Sequence, residues 1–141
     1  MLIKDILKTK GPTVYTISVD AVIADVVKEL VAHNIGSLVV RDGETIAGII
    51  TERDILRTVA EVKDPLETIP VTARMTANVI SGSPDDEVGQ VMGLMVEKRM
   101  RHLPVLESGE LVGLVSIGDV VKAHHARLTM ENHYMMNYIQ S

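Results

Sequence analysis

The chain contains two closely similar segments, and this internal duplication constrains its fold more than any other feature. A shift of 65 positions, which brings Ser18 onto Ser83, aligns polar and glycine residues without a gap. The other matched pairs are Asp20 with Asp85, Gly48 with Gly113, Thr51 with Ser116 and Asp54 with Asp119. Because a chain of 141 residues has room for little else, the sequence predicts a tandem repeat. Apolar agreement can reflect only a shared core, so functional residues are sought among the polar matches.

Composition excludes several classes of function. Phe, Trp and Cys are absent and 46% of the residues are hydrophobic, so we expect a core of Val, Ile, Leu and Met without disulfide or thiolate chemistry. A reducing, cytoplasmic location fits this usage. The net charge of −5 and the three tyrosines argue against nucleic acid as a partner. A charged N-terminus and the absence of a long uncharged stretch predict neither a signal peptide nor a membrane span.

The apolar pattern predicts the same order of elements in both copies. Apolar residues recur at helical spacing over residues 22–31 and 88–96, which predicts an amphipathic helix in each copy. Ser18 and Ser83 stand where an N-cap belongs, and Pro84 falls at an expected first helical position. Two β-rich runs follow, joined by turn residues at Asp42-Gly43 and Ser108-Gly109.

Each copy then closes with a second helix, and each opens with a short strand. The opening strands are expected around Val14-Tyr15 and Val79-Ile80, and the second helices begin near Asp54 and Asp119. The predicted fold class is therefore α/β (α+β), with two β-α-β-β-α repeats and a C-terminal helix. We expect repeat 1 over residues 1–61, a surface linker over 62–76, repeat 2 over 77–123 and a helical tail over 124–141.

The most informative polar residues lie where the last strand of each copy gives way to the second helix. The strings are 48–54 and 113–119, and each places a hydroxyl three residues before a carboxylate. Free N–H groups at a helix start suit a phosphate, while a carboxylate can accept both hydrogens of a vicinal diol, so the pattern fits a ribose phosphate. A hydroxyl-x-x-carboxylate string is also a capping box, which satisfies the helix N-terminus without any ligand. Both interpretations remain open from the sequence.

The doubled Gly-apolar-apolar-Thr/Ser-x-x-Asp string, each preceded by a Leu-Val or Leu-Pro-Val strand, resembles the cystathionine-β-synthase (CBS) domain. The resemblance covers about Ile3 to Lys122 and is that of a tandem pair, or Bateman module. It implies a pseudo-symmetric pair of repeats that regulates rather than catalyses. It also implies an adenosine ligand such as AMP, ADP, ATP, S-adenosylmethionine or NAD(H), bound in the cleft between the repeats.

Carried over residue by residue, the resemblance implies a set of binding residues. Asp54 and Asp119 would hold the ribose hydroxyls. Thr51 and Ser116 would contact ribose or phosphate. The adenine would be walled, partly through backbone hydrogen bonds, by residues of the opening strands, namely Tyr15, Thr16, Ile80 and Ser81.

The resemblance also implies a basic pair supplied by the opposite repeat, just before its Leu-Pro-Val strand. That position holds Arg101 and His102, which should face the pocket of Thr51 and Asp54. The alternative is that Arg101 pairs with Glu97, one helical turn earlier.

The two expected pockets differ in charge. Gly36-Ser37 stands where repeat 2 has its basic pair, and Gly118 stands opposite Arg53. Charge-assisted hydrogen bonds are worth about 1.5–3 kcal/mol each. Phosphate is therefore expected to prefer the first pocket, where Arg53 and Arg101 are available.

The C-terminal segment carries an apolar row and several histidines. Met130, Tyr134 and Tyr138 recur at i, i+4 and i+8, which predicts an amphipathic helix. Its apolar row can fold back on the same module or contact a partner, and we expect it to contribute to a homodimer. The spacing of the histidines at 124, 125 and 133 matches no standard ligand pattern, so no metal is expected.

The sequence thus predicts a regulatory module, not an enzyme, that binds an adenosine nucleotide and acts on an effector protein that the sequence does not name. The alternative is a ligand-independent adaptor or dimerisation module, in which the doubled motif only caps helices.

Overall fold

The fold is mixed α/β, as predicted, and it divides into two compact units. The computed structural model describes the backbone of residues 1–140 and the side chains of residues 1–133, 135 and 136. In chain order the elements are α1 (Ile3–Lys10), β1 (Thr16–Ser18), α2 (Ile23–His33), β2 (Ser37–Asp42), β3 (Thr45–Thr51), α3 (Glu52–Glu61), α4 (Val88–Lys98), β4 (His102–Glu107), β5 (Glu110–Ser116) and α5 (Ile117–Gln140). Within residues 1–140, no helix is both long and apolar enough to cross a membrane.

The first compact unit, Val14–Val79, contains repeat 1 and is called the first-repeat unit. Its sheet has the order β1-β2-β3, in which β1 is parallel to β2 and β2 is antiparallel to β3. Leu38, Val40 and Ile50 of the sheet pack with Ile23 and Val26 of α2 in one buried cluster. The predicted order of strand, helix, strand, strand and helix is therefore confirmed in this repeat.

The segment after α3 is not confined to the surface, so that prediction is wrong for part of the linker. Two 3₁₀ turns, Leu66–Thr68 and Val71–Ala73, follow α3. Ile69 and Val71 are buried in the core of the first-repeat unit. They are held there because Ile23 N–H donates to the Ile69 carbonyl at 2.8 Å and Val71 N–H donates to the Ala21 carbonyl at 3.0 Å.

The second compact unit joins residues 1–13 to the chain from Ile80 onward and is called the second-repeat unit. Its core is formed by α4, the β4-β5 hairpin and the start of α5, together with Ile3 and Ile6 of α1. Helix α1 was not predicted, and the first residues pack on repeat 2 instead of on repeat 1. The sequence boundaries 1–61 and 77–123 thus describe the duplication but not the compact units. Residues 1–13, which precede repeat 1, belong to the second-repeat unit, and the segment that precedes repeat 2 belongs to the first-repeat unit.

The strand expected at Val79-Ile80 is absent from the described residues, and a single parallel bridge between Gly82 and Val105 stands in its place. In repeat 1, Val39 N–H donates to the Tyr15 carbonyl at 3.3 Å. The residue 65 positions after Val39 is Pro104, which has no N–H to donate. The first strand of repeat 2 is shortened for this reason.

The serines expected as N-caps form turns instead. Helices α2 and α4 begin at Ile23 and Val88, several residues after Ser18 and Ser83. Each serine hydroxyl accepts a hydrogen bond from the amide two residues later, at 3.1 Å in repeat 1 and 3.3 Å in repeat 2. Pro84 likewise precedes the helix rather than opening it, because it lies in the turn that follows Ser83 and α4 begins only at Val88.

The C-terminal tail continues α5 without a break, so repeat 2 and the tail share one helix of 24 residues. Met130 is exposed on it. The predicted row of Met130, Tyr134 and Tyr138 depends on two tyrosine side chains that lie outside the described residues.

Candidate functional site

The junction between β3 and α3 forms a complete capping box. Thr51 has extended backbone and is the N-cap of α3. Its N–H donates to Asp54 Oδ2 at 2.9 Å, and its hydroxyl donates to the same oxygen at 3.1 Å. In return, Asp54 N–H donates to Thr51 Oγ1 at 3.3 Å. The capping interpretation of the motif is therefore confirmed for this repeat.

Capping uses only half of the Asp54 carboxylate. Every hydrogen bond that Asp54 accepts on its side chain within the described chain goes to Oδ2. The side chain is partly buried, so its orientation is fixed while Oδ1 keeps its lone pairs for another donor. Cap and ligand acceptor are thus compatible roles for one residue, and the ligand role of Thr51 and Asp54 stays a prediction.

Fewer helix amides are available at this junction than the sequence led us to expect. Glu52 N–H donates to the Gly36 carbonyl at 2.9 Å, and Asp54 N–H is used by the cap. At the other junction, Ile117 N–H donates to the Arg101 carbonyl at 2.7 Å. Among the first three amides of α3, these contacts leave only that of Arg53 without a described acceptor. An anion bound at this junction would therefore receive hydrogen bonds mainly from side chains and less from the helix N-terminus.

The junction between β5 and α5 repeats the box with one change. Ser116 N–H donates to Asp119 Oδ2 at 2.9 Å, and Asp119 N–H donates to Ser116 Oγ at 3.1 Å. A second donor to Asp119 Oδ2 is Lys10 Nζ, at 2.7 Å. In the first repeat, the corresponding second donor to Asp54 Oδ2 is the Thr51 hydroxyl. Lys10 also donates to the Leu114 carbonyl at 2.8 Å. Helix α1 therefore brings a cation to the second candidate site.

The contacts of Asp119 change its acidity. Burial raises the pKa of this carboxyl, but the hydrogen bond from Lys10, the Ser116 N–H and the charge of Lys10 more than offset that effect. The pKa of Asp119 therefore lies below its ordinary value, and the carboxylate is ionised at neutral pH.

Sequence reasoning missed Lys10, which lies 109 residues from Asp119 along the chain. The expected preference of phosphate for the first pocket assumed that no cation serves the second one. That assumption is wrong, because α1 supplies the charge that Gly36-Ser37 cannot. The ranking of the two pockets therefore loses its basis.

In the first-repeat unit, the residues expected around the adenine lie at the same end of the sheet as Thr51. Thr16 pairs with Val39 of β2, and Thr51 pairs with Ser37 two residues earlier on the same strand. The start of β1 and the end of β3 thus flank the first residues of β2. Tyr15 is 39% exposed, so part of its ring stays accessible to a ligand.

One face of the Tyr15 ring is already covered. It stacks on His33 with a centroid distance of 3.9 Å and an interplanar angle of 19°. His33 Nε2 in turn lies 3.0 Å from Glu29 Oε2. The histidine thus fixes the plane of the tyrosine ring, and the role of Tyr15 in stacking on a base stays a prediction.

The remaining candidates lie on the surface or at its edge. Arg53 is exposed in the first turn of α3, and Arg101 is exposed just before β4, which begins at the half-buried His102. The alternative pairing of Arg101 with Glu97 is not among the ion pairs of the described residues. That Arg101 and His102 serve the pocket of Thr51 and Asp54 stays a prediction.

In the second-repeat unit, the two residues expected to wall the adenine precede the single bridge at Gly82. Ile80 is 40% exposed and Ser81 is also exposed. Their role stays a prediction. Across the part of the chain that the structure describes, no three His, Cys, Asp or Glu side chains are grouped closely enough to hold a metal ion.

Comparison with known proteins identifies the family. The family model of the CBS domain matches residues 3–61 and matches residues 66–126 a second time. The chain belongs to the CBS domain family. It is 37% identical over 146 residues to the CBS domain-containing protein CBSX3, mitochondrial, of Arabidopsis thaliana, an alignment that covers 94% of this chain and 71% of that protein.

Solved structures of CBS proteins share the fold. The CBS-domain-containing protein ATU1752 from Agrobacterium tumefaciens is 40% identical with a TM-score of 0.84, and the match covers 88% of this chain and 99% of that one. The CBS domain pair of protein MJ0100, solved in complex with 5′-methylthioadenosine and S-adenosyl-L-methionine, is 29% identical with a TM-score of 0.78. That match also covers 88% of this chain and 99% of the other.

Proposed function

We propose that this CBS pair is a non-catalytic regulatory module that binds an adenosine nucleotide through Asp54 and Asp119. The observation that carries the proposal is that each cap occupies only Oδ2 of its aspartate, which leaves Oδ1 as an oriented acceptor. The adenosine compounds bound to the MJ0100 pair support this choice of ligand class. AMP, ADP, ATP and NAD(H) share the same adenine and ribose and are the candidates to compare.

The proposed contacts follow from the chemistry of the ligand. A ribose has a vicinal diol whose hydroxyls can donate to the unused carboxylate oxygen, while the phosphate needs cationic or hydroxyl donors. At the first site these donors would be Arg53 and, from repeat 2, Arg101 and His102. The adenine would stack on the open face of Tyr15. Binding regulates a partner if the ligand prefers one arrangement of the module over another.

An asparagine substitution separates the structural role of each aspartate from its role in binding. In Asp54→Asn, the amide oxygen can replace Oδ2 in the cap, whereas the amide nitrogen replaces the free oxygen with a donor. The cap is kept and the ribose acceptor is lost. The same reasoning applies to Asp119→Asn, and Asp54→Ala is the matched control that loses both roles.

The test measures nucleotide binding by isothermal titration calorimetry, and unfolding by thermal shift, with AMP, ATP, NADH and S-adenosylmethionine. We expect at least one ligand to raise the melting temperature of the wild-type protein, as a ligand specific for the folded state must. Asp54→Asn with Asp119→Asn should abolish that rise while lowering the unliganded melting temperature only slightly, because both caps are kept and only the charge paired with Lys10 is lost. Unchanged affinity in the double variant would contradict the proposal.

The adaptor or dimerisation alternative is supported by a different observation. Helices of both repeats expose apolar side chains at matched positions, Val31 with Val96 and Leu56 with Val121. Their exposed fractions are 76%, 68%, 70% and 48%. Apolar residues that remain exposed at the same places in both copies are typical of a surface that contacts another chain, and we propose a second copy of this chain.

The dimer is tested by light scattering. Leu56→Glu with Val121→Glu should halve the particle mass if the matched helix faces form the contact. Truncation after Ala123 tests the separate prediction that the tail contributes, since an unchanged dimer mass in that variant would exclude the tail. A wild-type dimer that forms without ligand would favour the adaptor alternative only if calorimetry and thermal shift also detect no nucleotide binding.

A further inference from the structure

Helix α1 places one cation against the carboxylate of the second candidate site. Lys10 is the last residue of α1, and its Nζ uses two donors, one to Asp119 Oδ2 at 2.7 Å and one to the Leu114 carbonyl at 2.8 Å. An ammonium group has three donors, so one remains for a further acceptor. The Lys10 side chain is 38% exposed, which leaves that donor accessible.

Lys10 adds a charged donor that the capping box of the first repeat does not have. In the first repeat the Thr51 hydroxyl donates to Asp54 Oδ2 at 3.1 Å. In the second repeat Lys10 Nζ donates to the equivalent oxygen, Asp119 Oδ2, and the Ser116 hydroxyl, which accepts from Asp119 N–H, also interacts with the Asp119 carboxylate. The second site therefore offers an ammonium N–H beside one neutralised carboxylate.

The first site has no equivalent cation within its own unit. The segment that precedes repeat 2 contains a single Lys or Arg between residues 66 and 79, which is Arg74. Arg74 Nε donates to Thr58 Oγ1 at 2.8 Å and its Nη2 lies 2.7 Å from Glu61 Oε2. It is thus committed to α3 rather than to Asp54.

We propose that Lys10 determines the charge of the ligand accepted at the Asp119 site, favouring a phosphorylated adenosine over an uncharged or sulfonium-bearing one. This inference rests on the proposed nucleotide-binding function. An isolated Asp119 carboxylate would repel a phosphate and attract a sulfonium, whereas the pair with Lys10 is neutral and still has a donor for the phosphate. The residue that sets specificity therefore comes from outside the repeat that carries the aspartate.

The experiment isolates the second site by using Asp54→Asn as the background, in which the acceptor of the first site is removed. AMP, adenosine and S-adenosylmethionine are titrated by calorimetry into this protein and into its Lys10→Met, Lys10→Gln and Lys10→Arg derivatives. The readout is the ratio of the dissociation constants of adenosine and AMP, which a general loss of folded protein leaves unchanged. Met keeps the length of the stem without charge, and Arg keeps the charge.

We expect Lys10→Met to reduce the preference for AMP over adenosine by about tenfold or more, the effect of losing one charge-assisted hydrogen bond. The affinity for S-adenosylmethionine should stay the same or increase. Lys10→Gln should resemble Lys10→Met, and Lys10→Arg should retain most of the preference for AMP. Lys10→Gln also replaces Lys10→Met in the test if the latter fails to fold.

Three results would overturn the inference in distinguishable ways. Equal losses of AMP and adenosine affinity in Lys10→Met would show that Lys10 only supports the local fold. Binding by the wild type but by none of the Asp54→Asn proteins would show that the Asp119 site is not a nucleotide site. Failure of the wild type itself to bind any adenosine compound would refute the proposed function and, with it, this inference.

Discussion

Replacing Gly48 of the repeated motif is expected to destabilise the fold for a reason unrelated to the ligand. A Cβ atom at this position would lie 2.6 Å from the Thr76 carbonyl oxygen and 2.8 Å from Met75 Sδ. Thr76 cannot retreat freely, because its carbonyl accepts from Ile49 N–H at 3.0 Å and its N–H donates to the Ile49 carbonyl at 2.9 Å. Gly48→Ala therefore forces strand β3 and the segment after α3 apart.

Gly113 is the matched control, because it occupies the same position in repeat 2 but meets a different neighbour. A Cβ atom there would lie 2.5 Å from Leu7 Cδ2, the end of a flexible side chain of α1. Leu7 can change rotamer, whereas the Thr76 backbone would have to break its bridge. The two substitutions are chemically identical, so the difference between them isolates the backbone contact.

The expected magnitudes follow from these distances. Overpacking costs about 1–3 kcal/mol, and replacing glycine recovers about 0.4–1 kcal/mol through the unfolded chain. Weakening one bridging hydrogen bond adds about 0.5–1.5 kcal/mol to the cost of Gly48→Ala alone. We expect Gly48→Ala to lower the free energy of unfolding by about 1–3 kcal/mol, and Gly113→Ala to change it by less than about 1 kcal/mol.

Urea denaturation followed by circular dichroism measures both variants, at one protein concentration because any self-association would add to stability. A loss at Gly113→Ala equal to or greater than that at Gly48→Ala would refute the reasoning. It would mean that a flexible side chain resists displacement as strongly as a hydrogen-bonded backbone.

Three further predictions concern single contacts. The pKa of Asp119 is lower in the folded than in the unfolded chain, so the unfolded chain binds more protons in acid. The stability that Asp119 contributes is therefore complete above the unfolded-state pKa and is lost as the pH falls through the folded-state pKa. Urea midpoints measured from neutral to acidic pH should fall less steeply in Lys10→Met than in the wild type. Tyr15→Leu should weaken nucleotide binding about two- to tenfold in calorimetry by removing the stacking surface, and unchanged affinity would exclude the tyrosine from the site. Arg74→Met should destabilise the protein in thermal unfolding by about 1–2 kcal/mol, since the buried Thr58 hydroxyl loses its donor. Arg74→Lys should be destabilised to a similar extent, and wild-type stability in Arg74→Lys would show that charge alone is sufficient.

The sequence was sufficient for the order of elements in repeat 1 because that order depends on local signals. Alternating turn residues and apolar runs located both hairpins, whose pairing places Asp42 opposite Thr45 and Glu107 opposite Glu110. The opening strand of repeat 2 could not be inferred from its own residues. It is shortened by Pro104, a residue on the strand it would have paired with, so the relevant signal lay more than twenty positions away.

Contacts between distant segments account for what the sequence did not predict. The apolar spacing of Ile3, Ile6 and Leu7 indicated a helix that we did not assign, but nothing in it indicates which repeat the helix packs against. The same holds for Lys10, whose partner Asp119 is fixed only by the docking of α1. Local patterns thus located the carboxylates of the candidate sites, whereas tertiary packing determined their electrostatic environment.

The capping box strengthens the case for binding at these junctions, although it was first considered as its rival. A ligand acceptor must be oriented before the ligand arrives, and a side chain held by packing and hydrogen bonds needs little reorganisation on binding. Thr51 holds Asp54 in this way through Oδ2, and Ser116 with Lys10 holds Asp119. Since the donors that hold the two carboxylates differ in charge, one duplicated motif gives two sites of different electrostatic character. If the proposed function holds, a module of this kind would respond to two adenosine compounds, or to two concentrations of one, without a change in the motif itself.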